Sequence, residues 1–374
     1  MRDESSEKSR EKTRSEQQRA GFVGGAKLET HTKRSRGLRP ARSGKPPAQR
    51  LWSLKGQKKG QDSHSFLILR AGGVRYDADR TGISGERGAM SRLRVMTFNI
   101  ANALETADDG ENAWAFRASL NVRAIKRYAP DLIGFQQCDD GNLETYRSAL
   151  AGYQYILGPA ADGPDLYDYN AIAYPPERLE LLDSGGFNLS ETPDVWSLGW
   201  DATYVRTLAW ARFRQREDQA EFLHLNTHLE HIGERARVES VRLILSRLPE
   251  LRAENFPVIF TGDFNCNPWA PGYRVHVETT FTDICYHLLR AHGFADSFLD
   301  VGGEDSAASF TFHGFEGARY WAADHHMAGR IDWILTLDGA SSVQTKECLI
   351  ARDAEPPVYP SDHYPVVADL VVGA

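Results

Sequence analysis

Cysteine is scarce. There are four in 374 residues and none are spaced C-x-x-C, which excludes a disulfide scaffold and argues against a zinc ribbon or a thioredoxin-type site. Long apolar runs are also missing. The longest are short, such as Pro365 to Val372, so no transmembrane helix is expected. The first residues hold no apolar stretch of the secretory kind, and acids at Asp3, Glu4, Glu7, Glu11 and Glu16 argue against a transit peptide, so the expected location is cytoplasmic. A P-loop, a dinucleotide fingerprint, H-E-x-x-H and G-x-S-x-G are all absent, and no internal repeat is visible. What remains, 41% hydrophobic and 25% charged, suits one large domain or two smaller ones.

The net charge of −7 hides two opposite parts. Residues 1–89 hold 21 Lys and Arg against 10 Asp and Glu, a net of +11, while the remainder holds 23 against 41, a net of −18. The basic segment has few large apolar side chains and cannot bury enough surface to offset chain entropy, which predicts disorder. An Arg-rich tail of this kind suits a nucleic-acid arm. The plainer expectation is a spurious extension, with translation starting at Met90 and the folded domain spanning 90–374.

From Leu93 onward, apolar runs alternate with helical stretches. Leu93 to Phe98, Asp131 to Phe135, Asn170 to Tyr174, Leu208 to Phe213, Phe222 to Asn226, Val258 to Thr261, Ile331 to Leu335 and Val366 to Val372 read as strands. Ala115 to Tyr128 reads as a helix stopped by Pro130, and Asn142 to Leu150 as a shorter one. In Arg235 to Leu251, Val238, Val241, Leu245 and Leu248 recur at three- and four-residue spacing, one face of an amphipathic helix. Strands alternating with helices indicate an α/β domain.

Polar residues gather just past these runs, where α/β folds assemble sites. They are Asn99; Gln136 and Gln137; Asn170; His228; Asp263 and Asn265; Asp332; and Ser361, Asp362 and His363. Any one alone reads more simply as a turn or helix cap. The ordered set suits metal-assisted phosphoryl transfer. A hard divalent cation takes oxygen ligands, which Asp and Asn supply. A His held by a carboxylate can orient or deprotonate water.

The chain from about Leu93 to Val372 resembles the endonuclease/exonuclease/phosphatase superfamily, the deoxyribonuclease I-like group. The matching strings are V-M-T-F-N-I (Val95 to Ile100), D-L-I-G-F-Q-Q (Asp131 to Gln137), L-N-T-H-L (Leu225 to Leu229), T-G-D-F-N (Thr261 to Asn265), R-I-D-W-I (Arg330 to Ile334) and S-D-H-Y-P-V (Ser361 to Val366). Y-N-A-I-A-Y, G-W-D-A, R-T-L-A-W-A-R-F, T-F-H-G-F and Y-P-S-D-H place the resemblance nearest a bacterial branch similar to nocturnin and deadenylase-like members. The resemblance implies a four-layer α/β sandwich, two packed mixed β-sheets flanked by helices, and Mg2+, with Mn2+ as the alternative. It implies His363 as base or water-orienting residue with Asp332 as its partner, and Asp263 and Asn265 orienting phosphate and nucleophile. His228 would contact the phosphate, Asn170 the substrate, and Asn99, Gln137 and Asp362 would lie on the metal side. Arg206 suits a phosphate clamp, or else a surface salt bridge.

One departure stands out. The family's metal-binding carboxylate follows a Gln in the second string, and this chain has Gln137 there, with Asp139 and Asp140 close by. An amide oxygen can ligate Mg2+ but lacks the charge that makes such sites tight. The Asp324, His325, His326 string lacks companion motifs and reads as a loop, and Cys138 and Cys266 as small buried thiols. The expected function is therefore a metal-dependent phosphoesterase, with substrate specificity carried by loops such as Asp183 to Thr203 and Asp296 to Ala323. A metal-impaired phosphate binder and a nucleic-acid-binding protein acting through its tail are the rivals. The acidic domain disfavours duplex DNA and favours a small phosphoester or nucleotide-sized substrate, acted on by a monomer.

Overall fold

The computed structural model describes residues 91–374 apart from 160–167, 253, 269–272, 277–278, 282–283, 307, 323–328 and 374. The basic segment and the Asp324, His325, His326 string therefore lie outside the described residues. The strands are β1 (Arg92–Asn99), β2 (Leu132–Gln136), β3 (Gln154–Ile156), β4 (Ile172–Tyr174), β5 (Leu179–Asn188), β6 (Thr207–Gln215), β7 (Glu221–His228), β8 (Val258–Asp263), β9 (Tyr273–His276), β10 (Thr279–Phe281), β11 (Ala295–Asp296), β12 (Asp332–Leu337), β13 (Val343–Ile350) and β14 (Val366–Val372). The helices are α1 (Trp114–Tyr128), α2 (Asp140–Ala149), α3 (Glu234–Leu251), α4 (Ile284–Ala291) and two short ones, α5 (Ser297–Asp300) and α6 (Ala318–Ala322).

Two mixed six-stranded sheets form, in the orders β13-β14-β1-β2-β4-β3 and β11-β12-β8-β7-β6-β5. Each has one parallel pair near its centre, β1 with β2 and β7 with β8, and its other neighbours are antiparallel. Side chains alternate across a strand, so each central strand supplies two cores. Leu93, Val95, Leu132, Phe213, Phe222, Ile259, Ile334 and Leu370 pack between the sheets. On the far side of the second sheet, Leu223, Leu225, Phe260 and Trp333 pack against Val238, Val241, Ile244, Leu245 and Leu248 of α3 and Leu289 of α4. The far side of the first sheet meets α2, where Phe135 stacks on Tyr146 with centroids 4.9 Å apart. Helices, sheet, sheet and helices make the four layers that the family resemblance implied.

Helix ends follow local rules. α1 stops at Ala129, which is left-handed at φ 43°, immediately before Pro130. At α2, Asp139 caps the backbone N–H of Asn142 while the Asn142 side chain accepts from the Asp139 N–H, a reciprocal box. The segment Asp183 to Thr203 is a loop only in part: Asp183 to Asn188 belong to β5, and the loop proper begins after it.

Candidate active site

The inner faces of the central strands change character along their length. Below the apolar core positions comes a polar layer of Thr97, Gln136, His224, Asn226 and Thr261, all buried. Gln136 Nε2 donates to Thr97 Oγ1 at 3.1 Å and to Asn226 Oδ1 at 2.8 Å, and Thr261 Oγ1 donates to the same Oδ1 at 3.0 Å. Asn226 Nδ2 donates to the carbonyls of Phe135 and Ala171. This layer ties the two sheets together by hydrogen bonds that cross the sandwich. Gly134 makes room for it, since a Cβ there would lie 2.1 Å from Thr261 Oγ1 and 2.5 Å from Asn226 Oδ1.

One step further along the same faces stand Asn99, His228, Asp263 and Asp332. Asn99 Nδ2 donates to Asp263 Oδ2 at 2.9 Å, bridging residues 164 apart in sequence. Asp332 faces Asp263 directly across the β8–β12 pair. His363 Nδ1 bonds Asp332 Oδ2 at 2.9 Å, while its Nε2 lies 3.7 Å from Asp263 Oδ2, beyond hydrogen bonding and turned to the cleft. His228 Nε2 lies 3.4 Å from the same oxygen. Asp263 Oδ1 accepts from the backbone N–H of Asn265, whose side-chain amide donates to the Leu229 carbonyl.

The T-F-H string clasps this end of the site. Thr311 Oγ1 accepts from the N–H groups of Ile331 and Asp332, Phe312 bridges to His363 and packs on its ring at 4.9 Å, and the N–H of His313 donates to the Asp362 carbonyl. Arg117, fully buried, donates to the carbonyls of Asn112, Ile100, Ala101 and Pro360 and so joins the backbone after β1 to the residue preceding Ser361. Ser361 Oγ completes the link by donating to the Asn99 carbonyl at 2.8 Å.

A cleft of about 270 Å³ opens onto these groups, lined among others by Asn99, Gln137, Asp263, Asn265, Asp362 and His363. Gln137 takes a left-handed backbone at φ 52° and reaches this cleft. Neither nearby acid replaces it there: Asp139 accepts from the N–H groups of Asn142 and Leu104 with its two oxygens, and Asp140 accepts from Tyr169 Oη. Arg206 also lines the cleft. It is buried rather than on the surface, with Nε 3.4 Å from Glu230 Oε2. Asn170 lies off the cleft, donating to the Thr207 carbonyl and hydroxyl, and lines an adjoining cavity.

Several residues of the site escaped the sequence reading. Glu230 is buried and accepts from Thr203 Oγ1 at 2.6 Å and from the Ile232 N–H. Burial opposes its charge, but His231, Arg206, Thr203 and Ile232 outweigh burial and hold its pKa well below the carboxylate range. A single acid after L-N-T-H-L carries no signal of this role. Glu105 and Asp168 also line the cleft, and Asn102 bridges them, donating from Nδ2 to Asp168 and accepting the Glu105 N–H. Burial raises the Asp168 pKa to about 6, against the Asn102 hydrogen bond.

The two histidines are pushed in opposite directions. Burial, then Arg206 and His363, hold His228 well below the usual imidazole range, so it is neutral. Burial also disfavours a charge on His363, but Asp332, Asp263 and Asp362 outweigh it and raise its pKa to about 10. Asp263 is raised by burial and by the Asp332 charge. The donor set fits a hard cation. Asn99, Gln137 and Asp362, which line the cleft, all carry side-chain oxygens, and Asp332 Oδ1 is a buried carboxylate oxygen with no hydrogen-bond partner among the described residues. Asp263, Asp332 and His363 could also gather around one ion, although the His363–Asp332 hydrogen bond already occupies two of them.

A carboxylate-held histidine beside buried acids and an arginine is equipment for cleaving a phosphoester. The chain belongs to the Endonuclease/Exonuclease/phosphatase family, whose model matches residues 96–363. It is similar to the structure of a mannosyl-6-phosphatase from Bacteroides thetaiotaomicron VPI-5482, at 31% identity and a TM-score of 0.63, covering 75% of this chain and 99% of that one. An endonuclease/exonuclease/phosphatase from Bacteroides vulgatus is similar at 31% identity and a TM-score of 0.64, with the same coverage of both chains. Nocturnin of Drosophila melanogaster is 28% identical over 229 residues, a match covering 56% of this chain and 33% of that protein. The family description and the names of the two Bacteroides proteins agree on phosphoester hydrolysis in general. No described helix is long and apolar enough to cross a membrane.

Proposed function

We propose that the chain is a divalent-metal-dependent phosphoesterase acting on a small phosphoester. The observation that carries the reading is His363, fixed by Asp332 at 2.9 Å and presenting Nε2 beside Asp263 on the floor of the cleft. Asn99, Gln137 and Asp362 would hold the cation, Mg2+ or Mn2+. Once bound, it supplies positive charge that polarises the phosphoryl oxygens and offsets the carboxylates that hold His363 protonated.

The chain's own residues do the rest. Arg206 and the neutral N–H of His228 grip phosphoryl oxygens, while Asp263 and Asn265 orient the attacking water. Asp332 fixes the His363 ring so that Nε2 meets the reacting proton. The water oxygen bonds to phosphorus as the water gives a proton to His363 Nε2, the bond to the leaving oxygen breaks, and the leaving oxygen takes up a proton from solvent. The net charge of −18 on residues 90–374 repels a long polyanion, which supports a small substrate over duplex DNA.

Hydrolysis of bis-p-nitrophenyl phosphate and p-nitrophenyl phosphate by the full chain, with EDTA, Mg2+ or Mn2+, tests this. Activity should require the metal. Gln137→Glu should tighten Mg2+ about tenfold in calorimetry, the scale of one added charge near a divalent ion in a partly exposed site. Unchanged affinity would remove residue 137 from the ligand set. Phosphate binding without hydrolysis under any metal would favour a metal-impaired binder.

A further inference from the structure

A second cavity, of about 240 Å³, opens beside the cleft and shares Asp168, Tyr204, Arg206 and His228 with it. Its other wall carries Trp196 and Leu198. Tyr204 is 54% exposed and Leu198 56%, so large apolar surface faces water next to Arg206, the phosphate grip proposed above. Exposed apolar surface with a few converging polar groups is the usual build of a ligand pocket. Arg206 lies over the Tyr204 ring at 5.5 Å, which places the phosphate grip at the junction of the two cavities.

The charge around this junction is one-sided. Among the described lining residues Arg206 is the one guanidinium or ammonium group, and Glu230 already pairs with it. Glu105, Asp168 and Asp362 line the same cleft. One phosphate has a grip there, whereas a second, carried on the leaving group, would meet Glu105 and Asp168 and no further guanidinium or ammonium group among the described lining residues. Carboxylates accept hydrogen bonds well from neutral hydroxyls.

We infer that the second cavity seats the leaving group, and that this group is a neutral, hydroxylated ring carrying a single phosphate. One ring face lies on Trp196 and Tyr204, and ring hydroxyls donate to Asp168, which lines both cavities, and across the junction to Glu105, which lines the first cleft. Water adds to phosphorus, the phosphorus–oxygen bond to the ring breaks, and the ring leaves as an alcohol with inorganic phosphate as the other product. The inference rests on the phosphoesterase reading above.

The test measures phosphate release by the full chain with Mg2+ or Mn2+ from a hexose 6-phosphate, a hexose 1,6-bisphosphate, a nucleoside 5′-diphosphate and the ringless glycerol phosphate. The hexose monophosphate should lead each of the others in kcat/KM by about tenfold or more. Trp196→Ala should cut the hexose-to-glycerol preference about tenfold, the scale of one lost ring contact. Glu105→Gln with Asp168→Asn should narrow the gap between monophosphate and bisphosphate. Equal rates on all four esters, or a Trp196→Ala enzyme that keeps its preference, would overturn the inference. If p-nitrophenyl phosphate is hydrolysed while the hexose ester shows no advantage, the leaving-group assignment alone fails. If no ester is hydrolysed, the phosphoesterase reading fails with it.

Discussion

Gly134 lies beneath the reacting groups, and replacing it with alanine tests whether the polar layer holds the site up. The added Cβ would sit 2.1 Å from Thr261 Oγ1, 2.5 Å from Asn226 Oδ1 and 2.9 Å from Asn226 Cγ. These atoms are not free ends of flexible side chains. Thr261 Oγ1 is held by Asn226 and by His224 Nε2 at 2.8 Å, and Asn226 is bonded to both sheets. Something in the layer must move. Overpacking costs about 1–3 kcal/mol. Breaking the Thr261–Asn226 and Gln136–Asn226 bonds adds about 1 kcal/mol each. The expected loss is thus about 3–5 kcal/mol, or roughly 10 °C in Tm for a domain of this size. Denaturant and thermal melts of the full chain would measure it. Thr261→Ala removes the nearest obstacle, so Gly134→Ala with Thr261→Ala should lose at least about 1 kcal/mol less than the two single changes added together. A Gly134→Ala protein within about 1 kcal/mol of the wild type would refute the argument, as would strict additivity.

His224 is fully buried, and burial lowers its pKa to about 3 from the usual 6.5. The unfolded chain then takes up a proton before the folded one does, so this histidine's contribution is complete above the unfolded value and is lost as pH falls below it. Between pH 7.5 and 5 the loss is about 2 kcal/mol; stability curves for wild type and His224→Gln should differ by that amount over this range, and parallel curves would sink the claim. His363→Ala should lower kcat about a thousandfold, as expected for a positioned acid–base group. Asp332→Asn on that background should change it by no more than about threefold, because the pair acts as one unit; losses that multiply would separate the two residues.

The recurrence of Val238, Val241, Leu245 and Leu248 was enough to place α3, since a helical face needs only a 3.6-residue period to be recognised, and all four pack on the second sheet. β5 and β13 were not readable. β5 contains Gly185 and Gly186, which in isolation suggest a turn; in the fold a Cβ on Gly186 would lie 2.3 Å from Pro159 Cδ, and one on Gly185 2.8 Å from the Trp210 ring. β13 is an edge strand with exposed Gln344, Lys346 and Glu347 interrupting its apolar residues. Both are strands because of what packs beside them.

The chain's own order of polar residues after apolar runs determined the α/β class and the pool of reacting groups, because strand alternation and strand ends are local properties; the sandwich was implied by the family resemblance that the matching strings carry. Only the tertiary structure decided how that pool is wired. It set His363 on Asp332, gave both Asp139 oxygens to backbone N–H groups and left Gln137 at the cleft. It also buried Arg206 against Glu230, a residue with no sequence signal, and set Trp196 and Tyr204 beside it. Charge and hydrogen bonding depend on distance through space, and residues 24 to 164 apart in the chain meet here within 3.4 Å.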